Sequence, residues 1–289
     1  MGVSVIITTK DRPDFLFRAI DSVAKQSVKP LEIIVIDDCS SVKIDEAVVS
    51  ECIAKLKSLD IYFHYHYNNV GMGGNYSRNL GAEKSKNNIL MFLDDDDYWL
   101  EDKIKTQVAC IDDQHELVYT GKQFVYSNDL DHVYRKSKEN TRCNSLWKGN
   151  YIGTTSGVAI TKAVFVKAGG FDENLKSLQD YDLWVRILQL TKAKWDLSYN
   201  ILYTVHKSTG KQISSDPAKH IDSVSRIREK YSNIIHNLDG DEKMIFESRM
   251  YHLIARAYRK NNDLRFVKFL FKSMIFKPSL RTLSLVFKY

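Results

Sequence analysis

The sequence is poor in cysteine and proline and has no long apolar run, and each shortage excludes a class of protein. Its 289 residues include four cysteines and four prolines. Cys39, Cys52, Cys110 and Cys143 have neither CxxC nor Cys/His spacing, which argues against a zinc site or a disulfide framework and favours a reducing compartment. No segment approaches the roughly 18–20 apolar residues of a membrane span. The N-terminus has no basic segment before its short apolar run, so we expect a first strand there rather than a signal peptide, and a cytoplasmic protein.

A glycine-rich dinucleotide loop is also missing. Gly71, Gly73 and Gly74 lie close together, but the G-x-G-x-x-G spacing fails at Tyr76. These glycines also follow the third predicted strand, whereas a dinucleotide loop follows the first. The sequence therefore disfavours a dinucleotide-dependent oxidoreductase.

Strand-like and helix-like segments alternate along the first 100 residues. Apolar, β-branched runs predict buried strands at 3–9, 31–38, 61–67 and 89–93, with helices between them. Asp11 is expected to cap the first helix. Repeated strand–helix–strand units predict an α/β fold with a Rossmann-like, mostly parallel sheet flanked by helices. Beyond residue 100 we expect further elements at these positions: a helix at 100–110, a strand at 117–127, a strand at 155–160, helices at 161–168 and 180–191, and mostly helix from 217 onward.

Basic charge is concentrated at the C-terminal end. The net charge is +6, and the segment from Tyr251 to Tyr289 has nine basic residues and one acidic residue. Within 264–277, Arg265, Lys268 and Lys272 recur at helical spacing, while large apolar residues fill most of the remaining circumference. We expect C-terminal helices that either lie on an anionic membrane surface or pack on the protein with the basic stripe in solvent.

Four adjacent aspartates, Asp94 to Asp97, follow the apolar strand 89–93 directly. An acidic run is usually a solvated turn, but ligands of parallel sheets bind beyond the C-terminal strand ends, where this run lies. Oxygen-only ligands on a short loop suit Mg²⁺ or Mn²⁺. In a D-x-D pattern one carboxylate can reach the metal while the other meets a sugar hydroxyl. The sequence therefore predicts a divalent cation site here.

Several motifs together resemble family 2 glycosyltransferases of the GT-A fold over about residues 3–214. In chain order they are "VSVIITTKDR", "IIVIDDCS", "NVGMGGNYSRNLG" leading into "LDDDDYW", "GGFDENLKSLQDYDLWVRI" and "VHKSTGKQIS". The sequence departs from the family pattern at Thr8, which replaces a proline, and at Gln179, which replaces a glutamate. The resemblance implies a catalytic domain at 1–215, with a nucleotide-binding half at 1–100 and an acceptor half at 101–215. A basic helical extension would occupy 216–289.

On the donor side, the resemblance implies that Asp38 accepts the N3–H of uracil and that Asp94 faces the ribose or donor sugar. Asp96 would bind the metal, and Arg78 would lie near the nucleotide. The remaining residues expected on the nucleotide or donor side are Thr8, Thr9, Arg12 and Asp95. His206 would approach the diphosphate or the metal.

On the acceptor side, the resemblance implies that Asp180 is the catalytic base of an inverting enzyme. Asp182 is an alternative base, although the family pattern gives it a structural role. Gln179 and Trp184 are expected beside the acceptor, while Trp184 also fits a core position.

The resemblance implies an inverting, metal-dependent hexosyltransferase that uses a UDP-sugar and Mn²⁺ or Mg²⁺ and forms a β-glycosidic bond. The expected acceptor is a polyprenyl-diphosphate-linked glycan in O-antigen or capsule biosynthesis. The enzyme would be peripheral on the inner face of the cell membrane, and no nucleic acid partner is expected. One alternative is a nucleotidyltransferase of similar fold, which would carry a glycine-rich loop where "TTKDRPDF" has none. The other is a catalytically silent nucleotide- or glycan-binding module.

Overall fold

A computed structural model describes residues 2–137, 145–205 and 216–287. The chain divides into two compact units. Within the described residues, the first unit comprises 2–137, 152–173 and 183–205, and the second comprises 145–151, 174–182 and 216–287. The two units alternate along the chain. The division of the chain at 215–216 into a catalytic domain and an extension stays a prediction.

A seven-stranded sheet forms the centre of the first unit, as far as the described residues show. Its strands are, in chain order, β1 (Val3–Thr9), β2 (Glu32–Asp37), β3 (Tyr62–Tyr67), β4 (Ile89–Asp94), β6 (Leu117–Tyr119), β9 (Val158–Thr161) and β10 (Ala193–Trp195). In space their order is β10-β6-β9-β4-β1-β2-β3. All neighbouring pairs are parallel except those of β9, which runs antiparallel to both β4 and β6. The predicted mostly parallel α/β sheet is confirmed.

The central strands are buried because their side chains are apolar on both faces. Val5, Ile7, Ile33, Val35 and Met91 are all inaccessible to solvent. The helices of the first unit are α1 (Pro13–Ala24), α2 (Glu46–Lys57), α3 (Gly74–Lys84), α4 (Lys103–Val108) and α5 (Lys162–Lys167), together with the C-terminal part of α6 (Gln179–Ile187). Helix α1 contributes Leu16, Ala19, Ile20 and Val23 to the same core. The stripe of apolar residues at helical spacing explains that packing.

Helix α1 does not begin as predicted. Asp11 has a positive φ of 53°, and its carboxylate accepts a hydrogen bond from the backbone N–H of Ser41 at 2.6 Å. The N-cap residue is Arg12, whose side chain makes no capping hydrogen bond. Asp11 therefore joins the loop after β1 to the loop after β2 by a hydrogen bond, and it does not cap helix α1.

The prediction of one continuous strand at 117–127 is wrong. The segment forms β6 and a separate strand, β7 (Lys122–Tyr126), in a second sheet of order β5-β11-β7-β8. The other strands of this sheet are β5 (Tyr98–Trp99), β8 (Arg135–Lys136) and β11 (Ile201–Val205). The break falls at Gly121, where an added Cβ would lie 2.4 Å from the Tyr199 ring. This close approach leaves no room for a side chain at the break.

The second unit is mainly helical in its described residues. Its helices are α7 (Pro217–Lys230), α8 (Ser232–His236), α9 (Gly240–Lys260), α10 (Phe266–Phe276) and α11 (Leu280–Leu283), and it also contains the first residues of α6. Helix α10 packs against α9, where Tyr258 stacks on Phe269 with ring centroids 5.3 Å apart. None of the helices in the described ranges is both long enough and apolar enough to cross a bilayer.

Candidate active site

The C-terminal ends of β1, β2 and β4 place polar side chains at one edge of the sheet. Thr8 pairs in register with Asp94 on one side and with Ile36 on the other. The Thr9 hydroxyl donates a hydrogen bond to Asp95 Oδ2 at 2.7 Å. The edge therefore brings together Thr8, Thr9 and the acidic turn, as expected for the end of parallel strands.

The acidic turn, residues 94–97, alternates between open and buried carboxylates. Asp95 and Asp97 are 0% and 2% exposed, whereas the side chains of Asp94 and Asp96 are 27% and 24% exposed. The chain turns after Asp94, where the Asp97 N–H donates to the Asp94 carbonyl at 3.0 Å, and this turn leaves Asp96 partly open while Asp95 and Asp97 point inward. Only Asp94 and Asp96 offer their carboxylates to a ligand.

Arginines from different parts of the chain neutralise the acidic turn. Arg12 lies 2.6 Å from Asp95 and 3.0 Å from Asp96. Arg78, on α3, lies 2.6 Å from Asp94 and is itself largely buried. These ion pairs offset the electrostatic repulsion between the neighbouring aspartate carboxylates.

The two buried carboxylates are shifted toward their neutral form. Burial raises the pKa of Asp95 to about 7, against the opposing effect of Arg12. Burial also raises the pKa of Asp97 well above its ordinary value, and the neighbouring carboxylates add to the shift. Asp97 Oδ1 accepts a hydrogen bond from the backbone N–H of Thr204 at 3.1 Å, which ties the acidic turn to β11.

Asp38 lies at the end of β2 and is 8% exposed. Its two carboxylate oxygens accept hydrogen bonds from the backbone N–H groups of Met72 and Gly73, at 2.8 and 2.9 Å. It therefore holds the glycine-containing loop that precedes α3. Its expected role as a uracil acceptor stays a prediction.

The first turn of α6, in the second unit, contains Asp180 and Asp182. Asp180 is partly exposed, and its oxygens accept hydrogen bonds from the Tyr181 N–H at 2.7 Å and from Asn150 Nδ2 at 3.2 Å. Asp182 is 0% exposed and contacts the Tyr231 hydroxyl at 2.7 Å and the Lys230 ammonium at 2.8 Å. Of the two candidate bases, Asp180 is the accessible one, while Asp182 is engaged in the packing of its unit.

The other residues expected on the acceptor side differ in accessibility. Gln179 is the first residue of α6 and is partly exposed. Trp184 is completely buried, and its indole N–H donates to the Gly153 carbonyl at 2.9 Å. This corrects the expectation that Trp184 faces the acceptor, because an inaccessible ring cannot contact a ligand, and it favours the core alternative. His206 lies outside the described residues.

The donor set of the acidic turn fits a hard divalent cation. Asp94 and Asp96 provide two partly exposed carboxylates, and Mg²⁺ or Mn²⁺ commonly takes one or two such ligands together with substrate phosphate oxygens. Among the described residues, no three His, Cys, Asp or Glu side chains form a potential metal-binding group. A cation held here would therefore need oxygens from its substrate to complete its coordination.

Sequence reasoning missed Arg18 and Asn150. The Arg18 guanidinium donates to the carbonyls of Asp96 and Ser127, both at 3.0 Å, and so fixes the backbone of the acidic turn. Asn150 contacts Asp180, from which it is 30 residues distant in the chain. Neither residue belongs to a recognisable motif, and their partners are remote in sequence, so the sequence held no signal for them.

Comparison with known proteins places this geometry in context. Residues 4–175 match the family described as "Glycosyl transferase family 2". The chain is 25% identical over 282 residues to an uncharacterized glycosyltransferase of Haemophilus influenzae, covering 96% of this chain and 90% of that protein. It is 28% identical over 210 residues to WfaP of Escherichia coli, named a UDP-Glc:alpha-D-GlcNAc-diphosphoundecaprenol beta-1,3-glucosyltransferase, covering 71% and 77% of the two chains.

The fold is also similar to that of solved structures. S. aureus TarS 1–349 in complex with UDP-GlcNAc matches with a TM-score of 0.63 at 20% identity, covering 99% of this chain and 78% of that one. At this identity the likeness concerns the fold alone. It agrees with the predicted GT-A fold.

Proposed function

Because this chain belongs to glycosyl transferase family 2, we propose that it transfers a hexose from a UDP-sugar to a hydroxyl group of a lipid-linked glycan. The observation that carries this proposal is the acidic turn at the C-terminal edge of the parallel sheet. Its two open carboxylates, Asp94 and Asp96, lie beside Arg12 and Arg78. Such a set of opposite charges suits a sugar joined to a diphosphate.

On the donor side, Asp96 would hold Mn²⁺ or Mg²⁺, which supplies positive charge to a departing diphosphate. Asp94 would face the ribose or donor sugar. Arg78 would add a fixed positive charge from α3. Thr8, Thr9, Arg12 and Asp95 would line the nucleotide or donor side, with Asp38 as the hydrogen-bond acceptor for uracil. His206 would approach the diphosphate or the metal.

Asp180 would act as the general base. Its carboxylate is partly exposed and could accept a proton from an acceptor hydroxyl. The acceptor oxygen attacks the anomeric carbon, its proton passes to the Asp180 carboxylate, and the bond to the UDP oxygen breaks with its electron pair leaving on UDP. One such displacement inverts the anomeric centre, so an α-linked UDP-sugar gives a β-glycoside. Gln179 would lie on the acceptor side.

We further propose a polyprenyl-diphosphate-linked acceptor in surface polysaccharide biosynthesis. The similarity to WfaP, whose name specifies a diphosphoundecaprenol acceptor, supports this choice. Such an acceptor is embedded in the cell membrane by its hydrocarbon chain, so the enzyme would work peripherally at the inner membrane face.

A panel of UDP-sugars tests the proposal. The full-length protein is incubated with each sugar nucleotide and Mn²⁺, with and without a polyprenyl-diphosphate glycan, and released UDP is measured. We expect one or a few UDP-sugars to give UDP release that a chelator abolishes and the acceptor accelerates. The anomeric configuration of the product, read by NMR, checks inversion.

The same experiment separates the alternatives. Release of pyrophosphate from UTP and a sugar 1-phosphate, without UDP release from UDP-sugars, would establish a nucleotidyltransferase instead. Binding of UDP-sugars by calorimetry, with no turnover in the presence of any acceptor tested, would favour a silent binding module.

A further inference from the structure

Helices α10 and α11 contact α9 through both aromatic and small polar side chains. Phe269 stacks on Tyr258, while Ser273 and Thr282 are 0% and 2% exposed. The Ser273 hydroxyl donates to the Ser248 carbonyl at 2.7 Å, and Thr282 Oγ1 lies 3.0 Å from His252 Nδ1. The two helices are therefore fixed on α9 partly through hydrogen bonds between small side chains.

The opposite face of the same helices is apolar and exposed. Val267, Phe271 and Ile275 are 52%, 66% and 65% exposed, and they recur every four residues along α10. Phe271 and Ile275 are each two positions from Ser273, which places them about 200° around the helix from that buried serine. We call the exposed set the apolar ridge, and it consists of Leu264, Val267, Phe271, Ile275, Leu280, Leu283, Val286 and Phe287.

Three exposed cations accompany the apolar ridge. Lys268 and Lys272 lie on α10, each one position after a ridge residue, and Arg281 lies on α11. Among the neighbouring basic groups, Arg265 is paired with Asp263 at 2.6 Å and Lys277 is paired with Asp241. The surface thus combines large apolar side chains with excess positive charge.

We propose that the apolar ridge inserts into the headgroup region of an anionic membrane, with Lys268, Lys272 and Arg281 contacting lipid phosphates. A surface helix buries its apolar face about 5–10 Å into the boundary between headgroups and acyl chains, and α10 is about 16 Å long. Large exposed apolar residues flanked by lysines are the arrangement expected of a helix that lies at a membrane surface.

The charge distribution favours lipid over a second copy of this chain. Two copies joined through the apolar ridge would bring their exposed lysines together, whereas an anionic bilayer supplies opposite charge along the whole surface. This interaction surface does not depend on the proposed catalytic function, since vesicle binding needs neither donor nor acceptor.

The test is co-sedimentation of the full-length protein with vesicles. We expect binding to an equal mixture of phosphatidylcholine and phosphatidylglycerol, with weaker binding to phosphatidylcholine alone. The double substitution Phe271→Glu and Ile275→Glu should lower vesicle affinity at least about 100-fold, because it removes two inserted apolar side chains. Lys268→Gln with Lys272→Gln should lower it about 30-fold at low salt, and little on neutral vesicles.

Val166→Glu is the matched control, because Val166 is an apolar residue on helix α5 of the first unit and is 62% exposed. It should bind vesicles like the unchanged protein. Circular dichroism and the thermal midpoint of each variant should stay at the unchanged values, as expected for exposed positions. Equal vesicle binding by the Phe271/Ile275 variant, or no binding by the unchanged protein, would overturn the proposal. The proposal would also be overturned if the unchanged protein did not bind vesicles but formed a dimer in sedimentation equilibrium, and if only the Phe271/Ile275 variant were monomeric.

Discussion

The acidic turn and the first turn of α6 both place aspartates at closely spaced positions, yet they hold their buried members differently. In the acidic turn, the Asp97 N–H donates to the Asp94 carbonyl, and the turn leaves Asp96 partly open and Asp97 buried. On α6, Asp180 and Asp182 are two positions apart on a helix and therefore face different directions. Each region therefore has both partly open and buried carboxylates, set by the turn in one and by the helical period in the other.

The difference lies in what accompanies the buried carboxylate. Asp97 is bonded to a backbone N–H, and burial raises its pKa. Asp182 is bonded to Tyr231 and paired with Lys230, so its partner is a cation. A buried carboxylate can thus be accommodated by a shift toward the neutral form or by ion pairing, and substitution should distinguish the two.

The largest effect is expected at Asp96. Asp96→Asn keeps the size of the side chain but removes the charge proposed to hold the metal, so UDP release should fall by at least about 10³-fold. Asp113→Asn, at an exposed acid away from the strand ends, is the control and should retain full activity. An Asp96→Asn protein as active as the control would exclude Asp96 as a metal ligand.

At Asp180 the chemistry should be lost while the donor still binds. Asp180→Asn removes the proposed base, which typically costs ~10²–10⁴-fold in kcat. Calorimetry should show UDP-sugar affinity unchanged. Loss of donor binding with an unchanged rate per bound donor would make Asp180 a donor ligand and place the base elsewhere.

Asp182 should affect stability where Asp180 affects rate. Asp182→Asn breaks a buried ion pair and should lower the free energy of unfolding by about 2 kcal/mol. Asp97→Asn keeps an acceptor for the Thr204 N–H and separates no ion pair, so its cost should be below about 1 kcal/mol. Chemical denaturation of the two variants measures both values, and equal costs would remove the proposed distinction between the two regions.

A pH-dependent effect is expected at a buried cation, Lys103, which is 0% exposed and donates to Gln107 Oε1. Burial lowers the pKa of Lys103 from 10.5 to about 7. Between these values the unfolded chain binds more protons than the folded protein, so raising the pH through this window stabilises the fold. Unfolding free energy should rise by about 2 kcal/mol from pH 7 to pH 9, and Lys103→Met should remove this Lys103 contribution. An identical pH dependence of the unfolding free energy in the unchanged protein and the Lys103→Met variant would contradict this prediction.

Prediction from sequence succeeded where a local pattern was long and regular. Strands β1 to β4 lie within a few residues of their predicted positions, and helices α1 to α3 lie between them as predicted, because apolar runs and helical periods persist through each. It failed at 117–127, where Gly121 accommodates the ring of the distant Tyr199, and at the short strands β10 and β11. Asp11 was also misassigned, since its partner Ser41 belongs to another loop.

The sequence by itself determined the family, the α/β fold and the position of four carboxylates at the end of a buried strand. The tertiary structure decided which of these carboxylates is open, which aspartate of α6 is accessible, and that Trp184 is buried. It also decided that Phe271 and Ile275 face outward while Ser273 faces α9. The physical reason is that accessibility and charge pairing depend on groups far away in the chain, such as Arg12 beside Asp96, and local residue patterns do not specify those partners.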